Sequence, residues 1–254
     1  MVKSEILKIS KVVPKDEIFE IAETAFKDAL KMTLKSKIKG ILRTIFSIVK
    51  ISYKFFSYIL ETSRKYGKDV FKIWLKDIRS AVVEKVETIK NIWKSMDSKQ
   101  KFESLIDISV FGITTLLVAG GFDLEGGLPD TDLRMGIGSH RNLFTHTILI
   151  GLLLEFVVRF LVNLTTEAYK RGYLPNYKLF EAFVEFGKKY EKTVISGLWF
   201  GLFLHFLKDA NIFSGKMKPY VGISGQTMQT HKNIMTTNAI LSAIFTPKNE
   251  VETN

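Results

Sequence analysis

Long apolar segments in the second half of the chain constrain its fold more than any other feature. Residues 105–122 and 147–164 carry no more than two charged side chains each, and two shorter apolar segments follow at 194–207 and 234–245. A helix needs about 20 apolar residues to cross the hydrocarbon core of a bilayer, so the first two segments are long enough. The pattern favours an all-α fold, in which residues 102–254 form about four membrane-embedded helices. A tightly buried soluble domain is the alternative.

The second apolar segment contains one pair of opposite charges, Glu155 and Arg159. A spacing of four residues places both side chains on one face of a helix. Ionisable groups are costly against lipid, so we expect this face to be turned inward.

The first 101 residues are basic and amphipathic. They hold 23 Lys and Arg against 12 Asp and Glu, whereas the rest of the chain is balanced, so they account for the whole net charge of +11. A helix start at Pro14, an aromatic-rich segment at 38–60 and a regular apolar spacing from Phe71 to Trp93 predict two or three helices. Such helices suit an anionic membrane surface or a protein partner. The solvated faces of a soluble bundle are an equal alternative, and nucleic-acid binding has the charge but no recognised motif.

The charges between the apolar segments predict an orientation. Loop 123–146 carries four acids against two bases, and loop 165–193 carries six bases against four acids. By the positive-inside rule, the basic N-terminal region and the second loop would be cytoplasmic, and the first loop would be external. The histidines of the first loop and those at the ends of the later helices would then lie on the same side of the membrane.

The chain has no cysteine and only four histidines, all in the second half and three of them beside acidic residues. Any metal ion must therefore be held by imidazole, carboxylate, backbone or water, which suits zinc, manganese or iron. A metal ion in such a cluster activates water for hydrolysis, and Arg141 could steady a phosphate. The candidate ligands are Asp130, Asp132, His140, His146, His205 and Asp209, with His231 as a weaker candidate.

Each of these residues also has a structural interpretation. His205 and Asp209 could form a hydrogen-bonded pair on a helix, and Asp130 and Asp132 could be turn or capping residues. His231, taken alone, is expected to be solvated. Their joint presence favours a metal site.

The motif residues resemble a known family. Leu128-Pro129-Asp130-Thr131-Asp132, the run from His140-Arg141 to Thr145-His146-Thr147, and His205 with Asp209 resemble the YdjM-type bacterial inner-membrane metal-dependent hydrolases. That family is similar in its motifs to zinc-dependent phospholipase C. The resemblance covers residues 105–246 and implies a helical hydrolase domain acting on phosphoesters or phospholipids, with the six ligands named above.

The chain departs from that family at three points. The two motif histidines are one residue further apart, and Thr147 stands in place of a serine. The family also tends to carry a histidine on the helix before the aspartates, where the polar residue of this chain is Asp107, a weaker candidate ligand by that resemblance. The sequence thus predicts a membrane-bound metal-dependent hydrolase with a cytoplasmic N-terminus. A non-enzymatic membrane effector or scaffold, whose basic N-terminal helices bind a partner or perturb the bilayer, is the alternative.

Overall fold

The protein is all-α, as the sequence predicts. The computed structural model describes residues 14–122, 126–135, 141–174, 177–211, 219–221, 223 and 225–247, with the backbone alone for residues 68 and 133–135. These residues contain no β-strand beyond one isolated bridge, between Asn142 and Val221. The helices of the described part are α1 (Lys15–Tyr66), α2 (Val70–Ser95), α3 (Ser98–Ala119), α4 (Ile148–Lys170), α5 (Lys178–Asp209) and α6 (Met228–Phe245).

The chain divides into two compact units. Unit 1 contains residues up to Gly40 and from Ser109 onward, and unit 2 contains Ile41–Ile108. This division differs from the boundary at residue 101 that the change in charge suggests. The reason is α1, a single helix of 52 residues that joins the two predicted segments, since no Pro lies between them and Gly40 is accommodated within the helix. Its first half packs in unit 1, where a Cβ at Gly40 would lie 2.9 Å from the carbonyl oxygen of Ile244.

Helix α5 forms the centre of unit 1. Its side chains Ile195, Trp199, Leu202 and Phe206 are fully buried. Gly201 lets α5 approach α3 closely, since a Cβ there would lie 2.7 Å from the carbonyl oxygen of Thr115. One turn further along the same face of α5 lies His205.

Helices α3 and α4 are long and apolar enough to cross a membrane, with mean hydropathies of 1.7 and 2.1. This test alone is weak evidence, because core helices of soluble proteins also pass it. The pattern of burial in α4 also favours a membrane location, because Glu155 and Arg159 are buried whereas Leu149, Leu153 and Leu161 are exposed. A helix that faces water normally has the opposite arrangement.

The predicted inward pair of α4 is confirmed and is part of a larger network. Arg159 donates to Glu155 Oε1 from Nε at 3.1 Å and from Nη2 at 2.9 Å, and it also pairs with Glu191 of α5. The other oxygen of Glu155 pairs with Lys37 of α1 and accepts a 2.6 Å hydrogen bond from Trp199 Nε1. We call Lys37, Glu155, Arg159 and Glu191 the ion network. It joins α1, α4 and α5 in the interior of unit 1.

Candidate metal centre

Three side chains from distant parts of the sequence bring their ligand atoms together. Asp130 lies in a short 3₁₀ segment (Pro129–Met135), His146 lies just before α4, and His205 lies on α5. One ligand atom from each lies within 4.8 Å of the other two. His146 Nε2 is 3.2 Å and His205 Nε2 is 3.7 Å from Asp130 Oδ1. Both histidines are almost fully buried, so the arrangement is internal rather than a chance cluster of surface acids.

Asp209 adds a fourth ligand atom. It follows His205 by one helical turn, and its Oδ2 lies 3.5 Å from the Nε2 atoms of both His205 and His146. We call Asp130, His146, His205 and Asp209 the ligand cluster. Ligands about 2.0–2.2 Å from a tetrahedral metal ion lie roughly 3.3–3.6 Å from one another. The four imidazole–carboxylate separations, 3.2–3.7 Å, lie close to this spacing. The three residues whose ligand atoms all lie within 4.8 Å of one another are Asp130, His146 and His205.

Contacts outside the cluster fix the orientation of both imidazole rings. His205 Nδ1 lies 3.1 Å from the carbonyl oxygen of Ala119, the last residue of α3, and donates to it. His146 Nδ1 lies 3.3 Å from Asp132 Oδ2 and 3.0 Å from Thr145 Oγ1. Metal-binding histidines are commonly held in this way by a carboxylate or a carbonyl on the far nitrogen. Each ring consequently presents Nε2 to the ligand cluster.

Asp132 is itself held firmly by its neighbours. Its Oδ2 accepts hydrogen bonds from the backbone N–H of Asn142 at 3.2 Å, from Asn142 Nδ2 at 3.1 Å and from Thr145 Oγ1 at 2.7 Å. This oxygen therefore contacts the rear of His146 rather than the side that faces the ligand cluster. Asp132 is therefore placed to orient the imidazole ring of His146.

The carboxylates of the cluster are ionised. Burial by itself raises the pKa of Asp130, but the hydrogen bond with His146, the charge of His205 and the N–H of Gly126 lower that pKa to about 2. Burial likewise raises the pKa of Asp209, and the interactions with His205 and with Arg141 outweigh it and lower that pKa. Burial lowers the pKa of His205, but the hydrogen bond with Asp209 and the charge of Asp209 outweigh it and raise that pKa. With the neutral imidazoles that metal binding requires, the three carboxylates Asp130, Asp132 and Asp209 against one guanidinium leave a formal charge of −2 among the described side chains. A divalent cation would neutralise it.

Two buried ligand atoms have no hydrogen-bond partner among the described residues, His205 Nε2 and Asp209 Oδ2. Buried polar atoms of this kind are uncommon and call for an explanation such as an ion. Both atoms belong to the ligand cluster. The lack of a hydrogen-bond partner at these two atoms thus agrees with a metal ion bound by the donor set.

Arg141 borders the cluster on the side of Asp209. Its Nη2 lies 2.7 Å from Asp209 Oδ1, leaving Oδ2 of the same carboxylate facing the histidines. The backbone of Arg141 has a φ of +64°, a left-handed conformation that is strained for residues with a side chain. Its carbonyl oxygen accepts a 3.2 Å hydrogen bond from the N–H of Val221, which helps to hold it there.

The structure thus brings together Asp130, His146, His205 and Asp209, with Asp132 and Arg141 in contact with them. His140 lies outside the described residues. The two weaker candidates are elsewhere: Asp107 belongs to unit 2, and His231 is buried in α6, where its Nδ1 accepts a 3.2 Å hydrogen bond from the N–H of Tyr220. The expectation that His231 is solvated was therefore wrong, because this hydrogen bond satisfies the ring in the interior.

Sequence reasoning missed several residues that support the site. Tyr220 donates a 2.7 Å hydrogen bond to the carbonyl oxygen of His146, and Asn238 accepts one from the N–H of Ile148 at 3.0 Å. Neither residue stands in a motif that could have identified it. Asn142 and Thr145, by contrast, lie within the motif, between Arg141 and His146. Their small polar side chains could have indicated that they support the site.

No protein-family model, curated protein or solved structure matches this chain.

Proposed function

We propose that the protein is a membrane-bound metal-dependent hydrolase that acts on phosphoesters or phospholipids. The observation that carries the proposal is the buried triad of Asp130, His146 and His205, whose ligand atoms lie within 4.8 Å of one another, with Asp209 Oδ2 at 3.5 Å from both imidazoles. The resemblance of the motif residues to the YdjM-type hydrolases points to the same activity.

The donor set favours zinc. Two imidazoles and two carboxylates without any thiolate suit borderline divalent ions, and zinc binds these ligands with tetrahedral geometry that can expand to five positions. Manganese and iron would accept the same donors. When bound, such an ion supplies a Lewis acid and a water whose pKa is lowered to about 7.

The chain's own residues position the reactants. Asp132 and the carbonyl of Ala119 hold the two imidazole rings, so that the ligand geometry is set before any ion binds. Arg141 places a planar cation beside Asp209, where its fork can share a phosphate oxygen with the site. Arg141 therefore serves the phosphate group of the substrate in this proposal.

A membrane location is supported by the exposed apolar faces of α3 and α4 and by the buried charges of α4. In a bilayer the exposed leucines of α4 would face acyl chains, and Glu155 and Arg159 would be shielded from them. The charge pattern of the loops supports a cytoplasmic N-terminus, and the family resemblance supports a bacterial inner membrane.

Metal analysis of the purified protein tests the first part of the proposal. We expect wild-type protein, purified without chelator, to hold zinc in stoichiometric amount, and His146→Ala and His205→Ala to lose it. His231→Ala is the matched control, since it removes a buried histidine whose described hydrogen bond is to Tyr220. Wild-type protein that stays metal-free after incubation with zinc, manganese or iron would overturn the proposal.

Hydrolysis assays test the second part. Metal-loaded protein should cleave a chromogenic phosphodiester or phospholipids in vesicles, chelation should abolish cleavage, and added zinc should restore it. Arg141→Lys should lower the rate while the metal content stays at the wild-type level. A protein that binds zinc but cleaves neither class of substrate would contradict hydrolase function and leave a structural metal site.

One observation favours the non-enzymatic alternative, namely the large apolar surface of unit 2. Phe46, Val49 and Phe56 are more than half exposed and lie among the cations Arg43 and Lys50. A membrane effector would depend on this surface and not on the metal. If His205→Ala keeps the biological activity and charge reversals at Arg43, Lys50 and Lys54 abolish it, the alternative is correct.

A further inference from the structure

Helix α2 is solvent-exposed along its whole length and carries an uncovered apolar stripe. None of its residues is buried. Apolar side chains recur every three or four residues and therefore share one face. Their exposed fractions are high: Phe71 66%, Leu75 49%, Ile78 42%, Val82 57%, Val86 47%, Ile89 65% and Trp93 38%.

The packing of α2 inside unit 2 does not cover this stripe. The described contacts with α1 lie near the start of α2, where Tyr58 donates a 2.7 Å hydrogen bond to Asp77 and the ring of Phe55 lies 6.4 Å from that of Trp74. Asp77 is on another side of the helix from Ile78 and Val82. Beyond these contacts the stripe continues for about three more turns without a covering side chain among the described residues.

Five cations lie along one edge of the stripe. Eighteen residues make about five full helical turns, so Lys90 and Lys94 lie on the same side of α2 as Lys72 and Lys76, with Arg79 beside them. The acidic residues of the helix, Asp77, Glu84 and Glu87, lie away from the stripe, and Glu87 borders the cationic edge, where it pairs with Lys90 at 3.5 Å. Lys85 is the one charge within the stripe, and its long aliphatic stem can lie along apolar surface while the ammonium reaches water or phosphate.

The chain leads from α2 directly to a helix that can span a membrane. α2 ends at Ser95 and α3 begins at Ser98. Asp97 and Gln100 cap the start of α3 reciprocally, with hydrogen bonds of 2.7 Å and 3.0 Å between each side chain and the other's N–H. With only two residues between the helices, a membrane-spanning α3 would keep α2 at the bilayer surface.

We propose that α2 is an interfacial helix that lies on an anionic leaflet, with its apolar stripe at the acyl boundary and its cationic edge against lipid phosphates. The charge pattern selects this occupant over a protein partner, because a one-sided row of cations beside an apolar face is typical of helices on anionic bilayers. The proposal does not depend on the metal site, so it can fail or hold separately from the proposed hydrolase.

The absence of native cysteine allows a direct test with single nitroxide labels in full-length protein. The protein is reconstituted in vesicles of phosphatidylcholine with phosphatidylglycerol. Labels at Val82→Cys and Ile89→Cys report on the stripe, and labels at Glu84→Cys and Asn91→Cys are matched controls on the opposite side of the same turns. We expect oxygen, which partitions into lipid, to increase the spin relaxation of the stripe labels more than a water-soluble nickel complex does. The control labels should show the reverse order.

Two variations complete the test. In vesicles of phosphatidylcholine alone, or with the triple change Lys72→Gln, Lys76→Gln and Arg79→Gln, the stripe labels should become more accessible to nickel. Equal nickel accessibility on both sides of α2 would overturn the proposal. Stripe labels protected from both reagents would also overturn it, because they would show a protein contact with a second copy of the chain. If the stripe labels are equally accessible to oxygen in vesicles with and without phosphatidylglycerol, the proposed preference for anionic lipid is wrong.

Discussion

Unit 1 contains two buried groups of charged side chains, and they differ in charge balance. The ion network has two carboxylates, Glu155 and Glu191, and two cations, Lys37 and Arg159. The ligand cluster and its neighbours have three carboxylates and one guanidinium. A buried group whose charges cancel can hold helices together. A buried group with excess negative charge becomes neutral only when it binds a cation.

The two groups also differ in which atoms face each other. In the ion network, N–H donors face carboxylate oxygens, as Arg159 does toward Glu155 at 2.9 Å. In the ligand cluster, the Nε2 atoms of two imidazoles and the oxygens of two carboxylates converge, and His205 Nε2 has no hydrogen-bond partner among the described residues. Imidazole nitrogens and carboxylate oxygens are the ligand atoms that borderline divalent cations accept. Charge balance and atom type thus both favour a structural role for the ion network and a metal-binding role for the ligand cluster.

The largest expected effect is on stability, from breaking the ion network. Arg159→Met should lower the free energy of unfolding by about 3–5 kcal/mol, because it leaves Glu155 and Glu191 buried without their shared cation. Chemical unfolding in detergent, followed by circular dichroism, measures the loss. Arg171→Met is the control, since Arg171 pairs with Glu20 at the surface and its removal should change little. A loss at Arg159 as small as that of the control would show that the network is not structural.

Metal should stabilise the protein through the ligand cluster alone. Zinc at 100 times its dissociation constant should add about 2.7 kcal/mol to the free energy of unfolding. The gain should disappear with a chelator and in His205→Ala, and it should persist in Lys37→Met, which changes the ion network and none of the ligand atoms. A zinc-dependent gain of equal size in His205→Ala would place the metal elsewhere.

Asp132→Asn distinguishes an orienting residue from a ligand. Loss of the carboxylate behind His146 should weaken zinc binding about 10–100-fold with unchanged stoichiometry, as other changes behind metal-binding histidines do. Competition with a chromophoric chelator measures the affinity. Asp130→Asn, at a ligand, should reduce binding much further. Equal losses in the two variants would return Asp132 to the ligand set that the sequence resemblance implies.

The fold was largely predictable from the spacing of apolar residues. Segments at 105–122 and 147–164 became α3 and α4, and the i, i+4 spacing of Glu155 and Arg159 gave the inward pair. The length of α1 was not predictable in the same way, because its apolar pattern weakens around Lys37. That lysine belongs to the interior through contacts with Glu155 and with the carbonyl of Phe245, more than a hundred residues away in the sequence.

The convergence of His146, His205, Asp130 and Asp209 was also expected, since the loop charges and helix ends predict that these residues lie on one side. The different positions of Asp130, in the ligand cluster, and Asp132, behind the ring of His146, were not predictable. The two residues are alike in sequence, and the distinction arises from Asn142 and Thr145, which hold Asp132 behind the ring of His146. Local spacing cannot show which carboxylate a loop turns toward the cluster.

The smallest expected effect is the coupling between the two groups. Lys37 lies over the ring of Trp199, and Trp199 and His205 are six residues apart on α5, which is roughly 9 Å at 1.5 Å per residue. Sites that far apart with no shared partner usually have additive effects within about 0.5 kcal/mol. Lys37→Met and His205→Ala, measured singly and together, should therefore show an interaction energy below about 0.5 kcal/mol in zinc-free protein. A larger value would mean that α5 transmits changes between the ion network and the ligand cluster, and that their different charge balances serve one connected site.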